Sequence, residues 1–228
     1  MERLAVIFDM DGVLVDSYAA HFQSWRDAVE AEGLQITQEQ FARTFGRTSR
    51  EIIAELWGGD LFTPAKLEEF DRRKEAAYRE IVAENFPAMD GARELIEALH
   101  ESGFRLAIGS SGPPENVALA LDRLGVARLF DGRVTGKDVQ RGKPDPQVFL
   151  LAAERIGIPP AGCAVIEDAP VGVTAANRAG MTSIGLATGG RSIEELSHAC
   201  LAVHSLRELS SARIDDLVRS RAEGGACP

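Results

Sequence analysis

The chain has little of what several function classes require. Three of its 228 residues are cysteine, Cys163, Cys200 and Cys227; they are far apart and form no CxxC pair. That pattern argues against a disulfide framework or a zinc site and fits a reducing compartment. Aromatic residues amount to 6%, which leaves few rings for stacking nucleic-acid bases. Basic residues are outnumbered 25 to 35, for a net charge of −10, so neither a nucleic-acid patch nor a polybasic membrane segment is expected. No apolar run approaches the length of a membrane span. Met1-Glu2-Arg3-Leu4 leads into a short strand pattern rather than a signal-peptide core. The expectation is a cytoplasmic protein, with no nucleic acid, membrane or protein partner implied. An anionic substrate would need a few placed cations and a metal, because the overall field repels it.

What is present is a core-forming chain, 45% hydrophobic, with no repeat and no low-complexity tract. Leu4-Ala5-Val6-Ile7-Phe8 is a continuous apolar run closed by Asp9-Met10-Asp11-Gly12, the pattern of a buried parallel strand and its turn. Similar runs recur at 105–109, 163–166 and 182–186, with a weaker one at 201–204. Between them lie amphipathic stripes: Ala92, Leu95, Ile96, Leu99; then Val117, Leu121, Leu124; then Val148, Leu151, Ala152, Ile156. Asp145-Pro146 and Gly112-Pro113 mark helix starts. Alternating strand and helix predicts an α/β fold, a Rossmann-like doubly wound parallel sheet. Residues 17–87 break the alternation with helical patterns alone, including Phe22, Trp25, Val29 and Leu67, Phe70, Ala77, Ile81. They are expected to form an inserted all-helical domain, leaving 1–16 and 88–228 as the core. The polar, Gly-rich tail 219–228 is expected to be loosely ordered.

In an open parallel sheet, ligands bind beyond the carboxyl ends of the strands. There the sequence sets Asp9 and Asp11, Ser110-Ser111-Gly112, and Glu167-Asp168, with Lys143 in Gly142-Lys143-Pro144-Asp145 just before a helix. Each alone has an ordinary reading: a turn, a helix-start hydroxyl, a solvated lysine, an acidic helix N-terminus. Together they suit phosphoryl transfer. Carboxylates from separate strands make an oxygen-rich site fit for Mg²⁺. A cation would let the Asp9 carboxylate approach an anionic phosphate, and Lys143 would neutralise the same oxygens. Ser110 and the amides before the following helix could hydrogen-bond them. Asp11 could protonate the leaving oxygen and later deprotonate water.

Four stretches carry a resemblance: Phe8-Asp9-Met10-Asp11-Gly12-Val13-Leu14-Val15-Asp16-Ser17, Ile108-Gly109-Ser110-Ser111, Gly142-Lys143-Pro144-Asp145-Pro146, and Ile166-Glu167-Asp168 followed by Gly172. In this order and spacing the chain resembles the haloacid dehalogenase superfamily, in the branch near the β-phosphoglucomutases and their phosphatase relatives. The resemblance implies that Asp9 is the nucleophile, Asp11 the acid/base, and Ser110 and Lys143 the phosphoryl-binding pair. It implies Mg²⁺ held by Asp9, the Asp11 carbonyl and Asp168, with Glu167 beside it or acting through water. An acid at position 11 separates phosphate-ester chemistry from the dehalogenase and phosphonatase branches.

The same resemblance makes the helical insertion a mobile cap. Lys74 lies on an apolar stripe, where a charge is either functional or snorkelling. Thr48-Ser49-Arg50-Glu51 reads as a capping box and puts Arg50 in a first turn, where the dipole disfavours a cation unless it meets an anion. His21 and Trp25 share a helix face. These four resemble substrate-contacting cap residues of the β-phosphoglucomutase group, and Gly46, Ser111 and Gly112 join them as candidate substrate contacts. One departure is Gly112-Pro113-Pro114, where mutases of this group carry a polar, basic stretch; prolines donate no backbone hydrogen bond. The expectation is a phosphatase of a small phosphorylated metabolite, with sugar phosphates as the favoured class. A β-phosphoglucomutase is the alternative enzyme, and a non-catalytic regulator that binds phosphorylated ligands is the alternative of another class.

Overall fold

The computed structural model describes residues 3–224. They divide into two compact units, one comprising the chain up to Asp16 and from Pro87 onward, the other Ser17–Phe86. The first is built on a six-stranded parallel sheet in the order β3-β2-β1-β4-β5-β6. The strands are β1 (Ala5–Phe8), β2 (Arg105–Gly109), β3 (Gly132–Val134), β4 (Cys163–Glu167), β5 (Thr182–Leu186) and β6 (Leu201–Val203). Strands β1, β4 and β5 are buried along their whole length, which is why β1 and β4 up to Ile166 read as unbroken apolar runs. Sequence periodicity passes over β3, because it has three residues and buries only Val134 fully. It pairs with β2 all the same and completes the edge.

Helices cover the sheet. α7 (Gln147–Ile156) and α8 (Pro170–Arg178) pack on the face presenting Ala5, Ile7, Ala107 and Val165. α5 (Ala92–Glu101) packs on β2, and α9 (Ser211–Ala222) on β4 and β5. α6 (Pro114–Leu124) follows β2 and buries Val117, Leu121 and Leu124. The buried face of α7 is wider than the expected stripe: Val148, Ala152 and Ile156 are buried as expected. Phe149 and Ala153 are fully buried while Leu151 is half-buried, because a helix packed across several strands buries a wider face than a narrow seam. Nor does Pro146 begin that helix. It stands just before Gln147, whose amide is capped by the Asp145 carboxylate at 3.0 Å.

One expectation needs correction. Residues 219–222 are the last turn of α9, with Arg219 paired to Asp215 on the same helix, and Glu223 caps it; residues 225–228 of that tail lie outside the described residues. Cys163 is free, and burial pushes its thiol up to about 12.

The unit Ser17–Phe86 is all helical among the described residues: α1 (Tyr18–Glu30), α2 (Gln38–Thr44), α3 (Ser49–Trp57) and α4 (Pro64–Glu84). α2 and α3 each open with a reciprocal capping box, Thr37 with Gln40 and Thr48 with Glu51. Their core joins Trp25, Val29, Phe41, Ile52, Ile53 and Phe70. On α4 the fully buried face is Phe70, Lys74, Tyr78 and Val82, while Leu67, Ala77 and Ile81 are half-buried. In the first unit, the chain leaves and returns at one point. The Asp16 amide donates to the Pro87 carbonyl at 2.8 Å, and Val15 bridges Ala88.

Candidate active site

Strand order reverses at β1, so the crevice between β1 and β4 is the topological switch point of the sheet. The ladder sets Phe8 opposite Ile108 on one side and Ile166 on the other. The residues just beyond, Asp9, Ser110 and Glu167-Asp168, therefore emerge together at the carboxyl edge. The Asp9 amide continues the ladder to the Ile166 carbonyl at 3.0 Å, and the Ser110 amide reaches the Val134 carbonyl at 3.0 Å.

One oxygen from each of Asp9, Glu167 and Asp168 lies within 4.8 Å of the others, and all three residues are buried. Lys143, brought in by the loop before α7, places its Nζ 2.6 Å from both Asp9 Oδ1 and Glu167 Oε1. The Asp9 carboxyl is pushed up to about 7, first by burial; Lys143 opposes that, and the charges on Glu167 and Asp11 add to it. Asp168 is held well above the usual carboxylate range by burial and by Glu167, with Arg191 in opposition. Burial alone would lower Lys143, but its two carboxylate partners outweigh that and raise it.

Two glycines make room for this cluster. Gly12 adopts φ +75°, and a Cβ there would land on the Asp168 carboxylate. A Cβ at Gly172 would land on the Glu167 carboxylate. Glu167 is also anchored by the Ala169 amide, which donates to Oε2 at 2.6 Å.

Asp11 is half-buried at the β1 turn and bridges Val15. Ser110 is buried, and its Oγ accepts from the Gly112 amide at 3.0 Å. Ser111 is exposed, and the Gly112 carbonyl accepts from the Gly136 amide at 2.9 Å. The core candidates thus gather at one sheet edge.

The remaining candidates belong to the helical unit. His21 stacks on Tyr78 with centroids 3.9 Å apart. Trp25 is buried against Phe70, and the Lys74 ammonium sits 5.2 Å from the Trp25 ring. Lys74 does not snorkel to solvent: its side chain is 7% exposed and its Nζ meets Glu75 at 2.5 Å. Gly46 and Arg50 are exposed, Arg50 in the first turn of α3.

Sequence reasoning passed over the segment after β5. There the Thr188 hydroxyl donates to the Gly12 carbonyl at 2.8 Å, and Arg191 approaches Asp168 Oδ2 at 3.5 Å. The available signal was position: Thr188-Gly189-Gly190-Arg191 also follows a strand at the reactive edge.

Comparison with known proteins agrees with this edge. A family model described as haloacid dehalogenase-like hydrolase matches residues 4–180. The chain belongs to that family. It is a hydrolase of the haloacid dehalogenase type. It is 35% identical over 180 residues to a phosphorylated carbohydrates phosphatase of Thermotoga maritima, covering 79% of this chain and 83% of the relative. It is 31% identical over 191 residues to a β-phosphoglucomutase of Bacillus subtilis, covering 81% and 84%. A crystal structure of a β-phosphoglucomutase from Clostridium difficile superposes with a TM-score of 0.87 at 25% identity, covering 96% of this chain and 99% of that one. The fold is accordingly the Rossmann-like core with a helical cap. No helix among the described residues is long and apolar enough to cross a membrane.

Proposed function

We propose that this hydrolase is a Mg²⁺-dependent phosphatase of small phosphorylated metabolites, with sugar phosphates as the favoured class. The observation that carries the proposal is Lys143 bridging Asp9 and Glu167 inside a buried carboxylate cluster at the switch point. The donor set fits the ion: three clustered buried carboxylates are hard oxygen ligands of the kind Mg²⁺ takes. Burial and mutual repulsion hold two of them up, a cost that a divalent cation relieves. Asp9, Asp168 and the Asp11 carbonyl would hold it, with Glu167 beside them. When bound, Mg²⁺ supplies positive charge that stabilises the phosphoryl oxygens.

The chain's own residues then divide the reaction. An Asp9 carboxylate oxygen attacks phosphorus, and the bond from phosphorus to the ester oxygen breaks. Asp11 delivers a proton to the departing alkoxide. In the second half Asp11 takes a proton from water, whose oxygen attacks the phosphorus. The aspartyl-phosphate bond breaks, inorganic phosphate leaves and Asp9 is restored. Lys143 and Ser110 bind the transferring oxygens. The Ser17–Phe86 unit serves as the cap, with its chain crossings beside each other at Asp16 and Pro87 acting as the hinge, and His21, Trp25, Gly46, Arg50 and Lys74 are its candidate substrate contacts.

Sugar phosphates are favoured because the Thermotoga relative is named for phosphorylated carbohydrates and an Escherichia coli relative, 34% identical over 191 residues, is a fructose-1-phosphate phosphatase. Turnover is expected to require added Mg²⁺. It should be abolished by EDTA and inhibited by Ca²⁺, whose longer and more numerous oxygen ligands disturb in-line transfer. Full phosphate release in excess chelator would defeat the metal assignment.

A mutase reading has the named Bacillus relative in its favour. A mutase, however, must grip a bisphosphate at both ends and keep water from the intermediate. Pro113 and Pro114 form the entrance of α6 and donate no amide hydrogen bond, and the Gly112 amide is already given to Ser110. Phosphate release is therefore expected to exceed isomerisation. The assay supplies β-glucose 1-phosphate with a trace of the 1,6-bisphosphate and follows glucose 6-phosphate and inorganic phosphate together. Rapid glucose 6-phosphate formation with little phosphate release would reverse the ranking.

A further inference from the structure

Among the described residues, two cations serve the buried cluster, not one. Lys143 takes Asp9 and Glu167 at 2.6 Å each, while Asp168 is approached by Arg191 at 3.5 Å. The Arg191 side chain is 18% exposed and Asp168 7%, so the pair is shielded from most of the screening that weakens surface ion pairs. Arg191 is held in place by its own segment. Gly189 and Gly190 both adopt positive φ, at 62° and 86°, and the Arg191 amide closes the turn on the Thr188 carbonyl at 3.1 Å. The Thr188 hydroxyl ties the turn to the Gly12 carbonyl at 2.8 Å. Gly12 in turn lies directly against the Asp168 carboxylate. The turn after β5 therefore touches the nucleophile loop at one end and Asp168 at the other.

We propose that Arg191 is a positioning residue that sets the affinity of the carboxylate cluster for its divalent cation, by holding Asp168 in an ion pair with which the cation must compete. This rests on the metal reading given above. Lys143 sits on the nucleophile and neutralises it. Arg191 sits on a carboxylate assigned to metal binding, where its charge and the cation's repel one another. The looser 3.5 Å contact, set against the 2.6 Å contacts of Lys143, marks it as the pair that yields. The chain is thereby given a metal-free fold in which Asp168 keeps a partner, at the cost of weaker cation binding.

The test measures Mg²⁺ affinity by titration calorimetry and thermal unfolding in EDTA and in saturating Mg²⁺, for wild type, R191Q, R191K and T188V. R191Q is expected to bind Mg²⁺ about tenfold more tightly than wild type, to unfold at a lower temperature in EDTA, and to gain more from Mg²⁺. R191K, which keeps the charge, should stay near wild-type affinity. T188V, which loosens the turn without removing charge, should lower the unfolding temperature without tightening Mg²⁺. If R191Q folds poorly, R191M removes the same charge. Unchanged or weaker Mg²⁺ binding in the charge-removing variant overturns the inference and leaves the metal reading standing. A wild type with neither binding heat nor a Mg²⁺-dependent rise in unfolding temperature overturns both.

Discussion

Asp9→Asn is expected to lower turnover of any phosphomonoester by about 10⁴-fold or more without unfolding the protein. The amide matches the carboxylate in shape but is a far weaker nucleophile. Its effect on stability should be small or favourable. Asp9 is buried with its carboxyl raised to about 7, and the charges of Glu167 and Asp11 press against it. Replacing it by a neutral group relieves that repulsion, while Lys143 keeps Glu167 at 2.6 Å. Thermal unfolding in EDTA should therefore occur at or above the wild-type temperature. Wild-type turnover in D9N would mean that another nucleophile, or water itself, attacks phosphorus.

Lys143→Met should act on both activity and stability. Methionine keeps much of the apolar stem beside Phe149, whose ring lies 4.9 Å from the ammonium, but removes the cation from between two buried carboxylates. Breaking a buried pair from one side costs about 3 kcal/mol or more, which lowers the unfolding temperature by roughly 6–12 °C for a chain of this size. Turnover should fall by about 10³-fold, with part of the stability recovered in Mg²⁺. Lys143→Arg is not expected to restore activity, because a planar guanidinium cannot place one donor point between two oxygens as an ammonium does. A K143M enzyme with near-wild-type turnover and an unchanged unfolding temperature would remove Lys143 from the proposed mechanism.

Much of this site could be read in the chain before its fold was known, and the reason is physical. Strands β1 and β4 are buried on both faces, so they appear as apolar runs whose ends can be located to within a residue. Once the ends are located, Asp9, Ser110 and Glu167-Asp168 fall at one edge by the rules of parallel sheets. Lys143 could be assigned because a cation just before a helix at that edge has a clear use. Other features were hidden because they depend on packing. β3 is too short and too exposed to carry a period. The α4 stripe, on which Phe70 and Lys74 were placed, suggested Leu67 and Ala77 as well, but the helix fully buries Tyr78 and Val82, since a tyrosine ring fills a core face that a hydropathy pattern counts as polar. Arg191 has only its place after a strand at the reactive edge to mark it; its importance arises where the β5 turn meets Gly12 and Asp168.

During turnover a phosphoryl group is expected to rest covalently on Asp9. The most direct measurement is to quench the Mg²⁺-loaded enzyme during steady-state hydrolysis of a sugar phosphate that it turns over. Tritiated borohydride then reduces any acyl phosphate, and the labelled position is located by peptide sequencing. Label is expected at position 9 in wild type, dependent on substrate, and none in D9N. Brisk hydrolysis with no label at position 9, or with label at another carboxylate, would contradict it.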